Sequence, residues 1–251
     1  MIRTTSSYKP SARSNEDLKV SKIAAVVTGG GIRIGLMITQ ALAATNGAKV
    51  YIPGRRKEAL NKMVEQCNEG AGNTIALPGD ILSNDDLVNN VGIARDEKTQ
   101  FDKAGKPDWE SAKASYEHFL QSEPELWADT SRTNIPAQFF TTMAFLLLLE
   151  KGRNLSPGYT SSIVNIASIS GFMKDTSGGH FAYAISKVGS IQPTRMMATT
   201  LAEAKIGVNC VAPGIFPTEM TAGSLRRRLK SKLDMTMSNP AGNILVQPAA
   251  T

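Results

Sequence analysis

Short apolar runs rich in β-branched residues alternate along this chain with longer segments in which apolar residues recur at helical spacing. Strands are predicted over 23–28, 48–52, 74–77, 161–167 and 208–212, with a further strand ending at 87–90. Helices are predicted over 34–46, 55–68, 125–149 and 181–204. Because strands that alternate with helices form a parallel sheet covered by helices, the pattern predicts an α/β fold. In the first helix, the expected buried face consists of Ile34, Met37, Ile38, Ala41 and Leu42.

Length and composition narrow the class of protein. The chain has 251 residues, of which 41% are hydrophobic, so one well-filled domain is expected. Two cysteines and two histidines have no metal-ligand spacing, which favours a reduced, cytoplasmic protein without a bound metal. The apolar run 139–149 is shorter than the roughly 20 residues that span a bilayer, so no membrane contact is expected.

The net charge of +6 is concentrated at the two ends of the chain. Basic residues cluster within 1–22, predicted to be a polar N-terminal arm, and within 224–251, predicted to be a basic tail. Because the basic tail is short and carries no interleaved aromatic residues, a solvated segment is favoured over a nucleic-acid interface. The folded domain is therefore predicted over 23–223, with no nucleic-acid partner.

A glycine cluster over 28–35 lies between the first predicted strand and helix. Glycines at such a turn let the backbone approach a pyrophosphate, and the unpaired N–H groups of the helix N-terminus attract the anion. A plain strand-to-helix turn is the alternative interpretation.

Tyr183 and Lys187 open another predicted helix at positions i and i+4, so they project from one face. A neighbouring ammonium stabilises a phenolate and lowers the phenol pKa, which makes this pair a candidate general acid and base.

These motifs occur in the order seen in the short-chain dehydrogenase/reductase family, which the chain resembles from about residue 23 to 223. The matching motifs are Thr28-Gly29 with Ile34-Gly35, Asn89-Asn90-Val91-Gly92, Asn134, Ser168, Tyr183 with Lys187, and Pro213-Gly214.

The resemblance implies a Rossmann-type doubly wound parallel sheet in a single domain. It implies that Tyr183 exchanges a proton with the substrate, that Lys187 tunes Tyr183, that Ser168 binds the carbonyl oxygen and that Asn134 anchors a water relay. Ser170, thirteen residues before Tyr183, competes with Ser168, but Ser168 follows Val164-Asn165-Ile166-Ala167 in the family register.

The coenzyme is predicted from the end of the second strand, where a carboxylate would bind the free 2′-hydroxyl of NAD. No carboxylate stands there; Arg55 and Arg56 offer guanidinium groups to a 2′-phosphate, which favours NADP(H). The alternative is that both are ordinary exposed residues of the first helical turn. By resemblance the coenzyme also contacts Gly29, Arg33, Ile34, Gly35, Asp80, Ile81, Asn90, Tyr183, Lys187, Phe216 and Thr218. Phe172, Met173 and Phe181 are expected to line an apolar pocket beneath a lid over 216–233.

Three departures from the family pattern bear on activity. Arg33 replaces the middle glycine of the loop and would either crowd the pyrophosphate or neutralise it. Only residues 79–86 separate the third strand from the fourth, so one crossover helix is expected to be missing. The family's last helix and strand have no visible counterpart after Gly214, which would weaken a homo-oligomer.

Two functions therefore follow from the sequence. The first is an NADP(H)-dependent oxidoreductase that interconverts a ketone and a secondary alcohol on a small apolar substrate, as in fungal-type reductases of secondary metabolism. The alternative is a catalytically silent or truncated relative that binds little or no coenzyme. The complete set of Asn134, Ser168, Tyr183 and Lys187 favours the enzyme.

Overall fold

The computed structural model describes residues 24–44, 49–54, 57–68, 73–78, 92–155 and 160–214. The predicted arm, the basic tail, the strand end at 87–90 and the connection at 79–86 lie outside the described residues. All residues after Gly214 also lie outside the described residues. The prediction that the family's last helix and strand are missing concerns these residues and stays a prediction.

The first three strands form a parallel sheet in the order β1-β2-β3. Its elements are β1 (Ala24–Val26), α1 (Arg33–Ala43), β2 (Lys49–Gly54), α2 (Lys57–Cys67) and β3 (Asn73–Pro78). Val50 and Ile52 of the central strand are fully buried and pack with Val27, Ala43 and Leu60 into one core. This repeat of strand and helix matches the predicted pattern.

The buried face of α1 differs from the prediction. Met37 is exposed, whereas Gly35, Thr39 and Ala43 are buried at every fourth position. Small side chains at these positions allow the helix to lie close to the sheet. Ile38 and Leu42 of the predicted face pack against the same core, so the prediction is wrong at Met37 and Ala41, which are exposed.

A second parallel pair, β4 (Ser162–Ile166) and β5 (Gly207–Val211), carries the other half of the described fold. Ile163 and Val208 from the strands pack with Met197, Leu201 and Ile206 into a separate core. The strand expected at 87–90, which the family resemblance places beside β1, lies outside the described residues. The parallel strands and covering helices confirm the α/β class.

The predicted helix 125–149 is wrong as a single element. It is two helices, α5 (Pro124–Asn134) and α6 (Pro136–Leu155), separated at Ile135. Pro136 lacks an N–H donor and restricts the residue before it, which breaks the helix at that point. Two short helices, α3 (Phe101–Ala104) and α4 (Ala112–Phe119), precede α5 and were not predicted.

The last described helix is α7 (Phe181–Thr200), which follows two 3-10 turns at 169–171 and 177–179. Helix α7 packs against α5 and along β5. Among the described residues, no helix is both long and apolar enough to cross a bilayer, and no group of metal-ligating side chains occurs.

Candidate active site

The glycine loop connects β1 to α1. Gly29 has φ 56°, a left-handed conformation that favours glycine. A Cβ atom on Gly30 would lie 2.7 Å from the Val27 carbonyl oxygen and 2.5 Å from Ile52 Cγ2, so only glycine fits there. The capping residue Ile32 provides no side-chain hydrogen bond, and the first turn of α1 holds no acidic residue. The N–H groups of that turn, which include Ile34 and Gly35, are therefore available to an anion.

Arg33 is the first residue of α1 and has φ 53°, the conformation for which the family's glycine is suited. Its Nε atom is buried and has no hydrogen-bond partner among the residues that the structure describes. Its charge also acts on Tyr183, because the guanidinium lowers the pKa of that phenol. Arg33 thus brings an incompletely satisfied cation to the space between the glycine loop and Tyr183.

Tyr183 and Lys187 lie one turn apart near the start of α7, as predicted. Lys187 Nζ is 5.7 Å from the centroid of the Tyr183 ring and donates a hydrogen bond to the Ile166 carbonyl oxygen at 3.0 Å. Burial lowers the pKa of Lys187 from 10.5 to about 8. The amine is therefore still mainly protonated at neutral pH, yet close to its titration point.

Three effects of opposite sign act on the pKa of the Tyr183 hydroxyl. Burial raises the pKa of this phenol above its ordinary value and outweighs the effects of the Ser168 hydroxyl and the charge of Arg33, which lower it. The predicted lowering of the phenol pKa by Lys187 is therefore wrong for the free protein. Ser168 lies just beyond β4 and is buried, and its hydroxyl oxygen also accepts a hydrogen bond from the Ser170 backbone N–H. Of the two candidate serines, Ser168 is the one that the structure places against Tyr183.

Asn134, at the end of α5, is buried and engaged on both sides of its amide. Its Oδ1 accepts from Ile93 N at 2.9 Å, and its Nδ2 donates to Ile93 O and to Ser186 Oγ, each at 2.8 Å. A Cβ atom on Gly92 would meet both Lys187 Nζ, at 3.1 Å, and Asn134 Oδ1, at 3.7 Å. The backbone at Gly92 therefore lies next to both the Asn134 amide and the Lys187 ammonium. The two hydrogen bonds from Asn134 to the Ile93 backbone hold it there.

Sequence analysis missed the small polar side chains that join α5 to α7. Ser186 bonds to Asn134, and Ser190 Oγ donates to the Asn134 carbonyl oxygen at 2.9 Å. Ser186, Ser190 and Thr194 recur at every fourth position of α7 and are all buried. That spacing of small residues is the signal that would have revealed a closely packed helix face.

The remaining predicted positions are only partly placed. Phe172 is exposed, Met173 is half-buried, and Phe181 packs edge-on against Phe119 with ring centroids 5.1 Å apart. Pro213 joins the site through its carbonyl oxygen, which accepts from Ile169 N at 2.9 Å. The positions that lie outside the described residues are Arg55, Arg56, Asp80, Ile81, Asn90, Phe216 and Thr218.

The chain is similar to a family model, to curated proteins and to solved structures. The family model described as short chain dehydrogenase matches residues 23–228. The short-chain dehydrogenase/reductase PhomF′ of Diaporthe leptostromiformis is 34% identical, covering 95% of this chain and 85% of that protein. The short-chain dehydrogenase/reductase VdtF of Byssochlamys spectabilis is 34% identical, covering 78% of this chain and 74% of that protein. Among solved structures, the RhlG/NADP active-site complex of Pseudomonas aeruginosa is similar, with a TM-score of 0.62, 28% identity and coverage of 81% of this chain and 75% of that chain.

Proposed function

Because the chain belongs to the short-chain dehydrogenase/reductase family and is therefore an oxidoreductase, we propose that it interconverts a ketone and a secondary alcohol using NADP(H). The observation that carries this proposal is the buried Tyr183 phenol, which lies near the Ser168 hydroxyl and one helical turn before Lys187. A phenol next to a hydrogen-bonding hydroxyl and a buried ammonium is suited to exchanging a proton with a substrate oxygen.

In the reducing direction, the Tyr183 hydroxyl donates its proton to the carbonyl oxygen. The phenolate that results is stabilised by the positive charges of Lys187 and Arg33, whereas Ser168 holds the oxygen in place. In the oxidising direction, the same phenolate takes the proton from the alcohol. The chain thus provides the proton chemistry with its own side chains.

The residues present fit a dinucleotide. The close approach at Gly30, the uncapped N-terminus of α1 and the unpartnered Nε of Arg33 are features that a pyrophosphate would satisfy. Lys187 would hold the ribose next to the nicotinamide. When bound, the nicotinamide would supply to the carbonyl carbon, or accept from the alcohol, the hydride that accompanies the proton at Tyr183.

One feature of the sequence supports NADP(H) over NAD(H). Arg55 and Arg56 stand in the sequence directly after β2, where a carboxylate would select NAD. Similar structures do not separate the two coenzymes, since the RhlG structure is a complex with NADP and the 3-oxoacyl-[acyl-carrier protein] reductase of Brucella melitensis, also 28% identical, is a complex with NAD. Asp80, Ile81, Asn90, Phe216 and Thr218 complete the proposed contacts by their place in the family sequence pattern.

The substrate that we propose is small and apolar. Met173 is half-buried and Phe181 is part of an aromatic cluster, both close in sequence to Tyr183. The role in secondary metabolism that the family resemblance implies stays a prediction. Exposed Phe140, Leu147 and Leu148 on α6 support self-association, which gel filtration with light scattering would report.

The proposal is tested with Tyr183→Phe. The purified chain is assayed with small apolar ketones and either NADPH or NADH, and coenzyme affinity is measured by fluorescence titration. We expect reduction with NADPH to fall about a hundredfold or more in Y183F, with NADPH affinity within about twofold of wild type. Tyr116→Phe, which alters an exposed tyrosine, is the matched control. An undiminished rate in Y183F would remove Tyr183 from the mechanism, and absence of coenzyme binding by the folded chain would favour the silent relative.

A further inference from the structure

The first turn of α7 is held by a carboxylate from a distant part of the chain. Asp96 is buried, with 4% of its surface exposed, and its Oδ1 accepts from Ala182 N at 2.9 Å. Its Oδ2 accepts from the backbone N–H of Tyr183 at 3.2 Å. The residue at the local capping position, His180, makes no side-chain cap, and first-turn N–H groups have no acceptor within their own helix. Asp96 therefore supplies the cap that α7 lacks.

The segment that carries Asp96 is attached to the same end of α7 by further contacts. Thr99 Oγ1 donates to the Gly179 carbonyl oxygen at 3.0 Å, and the His118 ring bonds the Thr99 carbonyl oxygen at 2.9 Å. Gly179 has φ 88° and lies against the Thr99 backbone so closely that no side chain fits. Asp96, Thr99 and His118 thus connect the segment 96–119 to the residues just before Tyr183.

Charge explains why a carboxylate suits this position. The positive end of the α7 dipole faces Asp96, and two N–H groups neutralise its buried charge. The other ionisable group facing it among the described residues is His180, whose Nδ1 is 3.8 Å from Oδ2. Because one oxygen bonds the Tyr183 backbone itself, any movement of the carboxylate moves the residue that bears the phenol.

We propose that Asp96 is a positioning residue that fixes Tyr183 against Ser168, so that the junction at 96–119 controls proton transfer. This inference rests on the function proposed above and adds a residue to it. Removal of the carboxylate should disturb the placement of the phenol more than coenzyme binding, which the proposed function assigns mainly to the glycine loop and the first turn of α1. A displacement of about 1 Å at a reacting group lowers turnover about a hundredfold.

The kinetic test compares Asp96→Ala, Asp96→Asn and the control Asp102→Asn, which removes an exposed carboxylate from the same segment. Turnover is expressed per NADPH-binding site, counted by titration, so that unfolded protein does not contribute. We expect kcat to fall about a hundredfold in D96A and about tenfold in D96N, which keeps one acceptor oxygen. KM and NADPH affinity should stay within about twofold. A fall in binding sites at unchanged kcat per site would mean a purely structural role and would overturn the proposal.

A second measurement needs no activity. Hydrogen exchange of 15N-tyrosine-labelled protein follows the Tyr183 amide, which is assigned among the five tyrosines by its absence in Y183F. We expect protection of this amide to fall about tenfold or more in D96A and to stay unchanged in D102N. Tyr183-dependent reduction that is insensitive to D96A overturns the Asp96 inference alone. Absence of Tyr183-dependent reduction overturns the proposed function, and the amide exchange then decides by itself whether Asp96 holds Tyr183.

Discussion

Helices α1 and α7 begin in opposite ways. Neither has a capping side chain from its own preceding residue. At α7 the protein closes the helix end itself, because Asp96 accepts the first-turn N–H groups. At α1 no acidic residue enters the first turn, and the side chain that occupies it is the cation Arg33. One N-terminus is completed by a side chain of the protein, whereas at the other no described side chain takes that place, which suits it to an external anion.

This difference shows which polar groups of the site are hydrogen-bonded by the protein's own side chains and which are not. Around α7, Asn134, Ser186 and Ser190 satisfy one another, so the proton-transfer machinery is built before any ligand arrives. Around α1, Arg33 Nε and Thr39 Oγ1 are buried and have no hydrogen-bond partner among the described residues. Near α7 the same holds for Ser177 Oγ and His180 Nδ1, which lie before the helix and outside the set that joins α5 to α7. Substitutions near α1 should therefore change coenzyme affinity first, and substitutions near α7 should change turnover first.

The largest effect at the α1 end is expected from Gly30→Ala. The new methyl group would meet the Val27 carbonyl oxygen and Ile52, so the backbone of the loop must move. We expect about 3 kcal/mol of lost stability, measured by denaturant unfolding, and at least about tenfold weaker NADPH binding. Gly207→Ala is the control, because its nearest neighbour, Ser162 Oγ, is 3.7 Å away. Equal effects of the two substitutions would contradict a loop built on close approach.

The sequence predicted features that depend on neighbours in the chain. The alternation of strands and helices and the pairing of Tyr183 with Lys187 at i and i+4 are local, and the structure has both. The break at Ile135 was missed because the long apolar run that follows outweighed a single proline. The predicted face of α1 was wrong at Met37 and Ala41, because apolar character was taken as the sign of burial, whereas the small residues Gly35, Thr39 and Ala43 are the buried ones.

Features that depend on tertiary contact could not be predicted. Asp96 and Tyr183 are 87 residues apart, and no periodicity or motif spacing connects them. The left-handed conformation of Arg33 is another case, since the sequence identified the substitution for glycine but not the backbone that the arginine adopts. The contacts that place Asp96 come from neighbours that only the fold brings together.

At the α7 end, the pH dependence of stability reports the burial of Lys187. Its pKa is about 8 in the folded chain and 10.5 ordinarily, so the unfolded chain binds more protons between these values. Stability from this group therefore rises as pH increases from about 8 to 10.5, by at most about 3 kcal/mol. Denaturant unfolding of wild type and Lys187→Met across this range should show the gain in wild type only, with Lys174→Met, an exposed position, behaving as wild type. A parallel dependence in K187M would exclude Lys187 as its source.

The smallest effects are expected from Arg33→Gly at the α1 end, where stability should rise and NADPH affinity should fall. Arg33→Gly removes a left-handed arginine and its unpartnered Nε, so we expect the free protein to gain about 1 kcal/mol. The same substitution removes a cation from the proposed pyrophosphate site, so NADPH binding should weaken about tenfold.

The control for Arg33→Gly is Lys205→Gly, an exposed residue with φ 54° that lies beyond α7. It should gain similar stability, because the same backbone strain is relieved, but its NADPH affinity should not change. Thermal unfolding and fluorescence titration of both variants separate strain from recognition. Tighter NADPH binding by R33G would mean that Arg33 crowds the phosphates, and the open end of α1 would then be a glycine-loop site that this chain has partly closed.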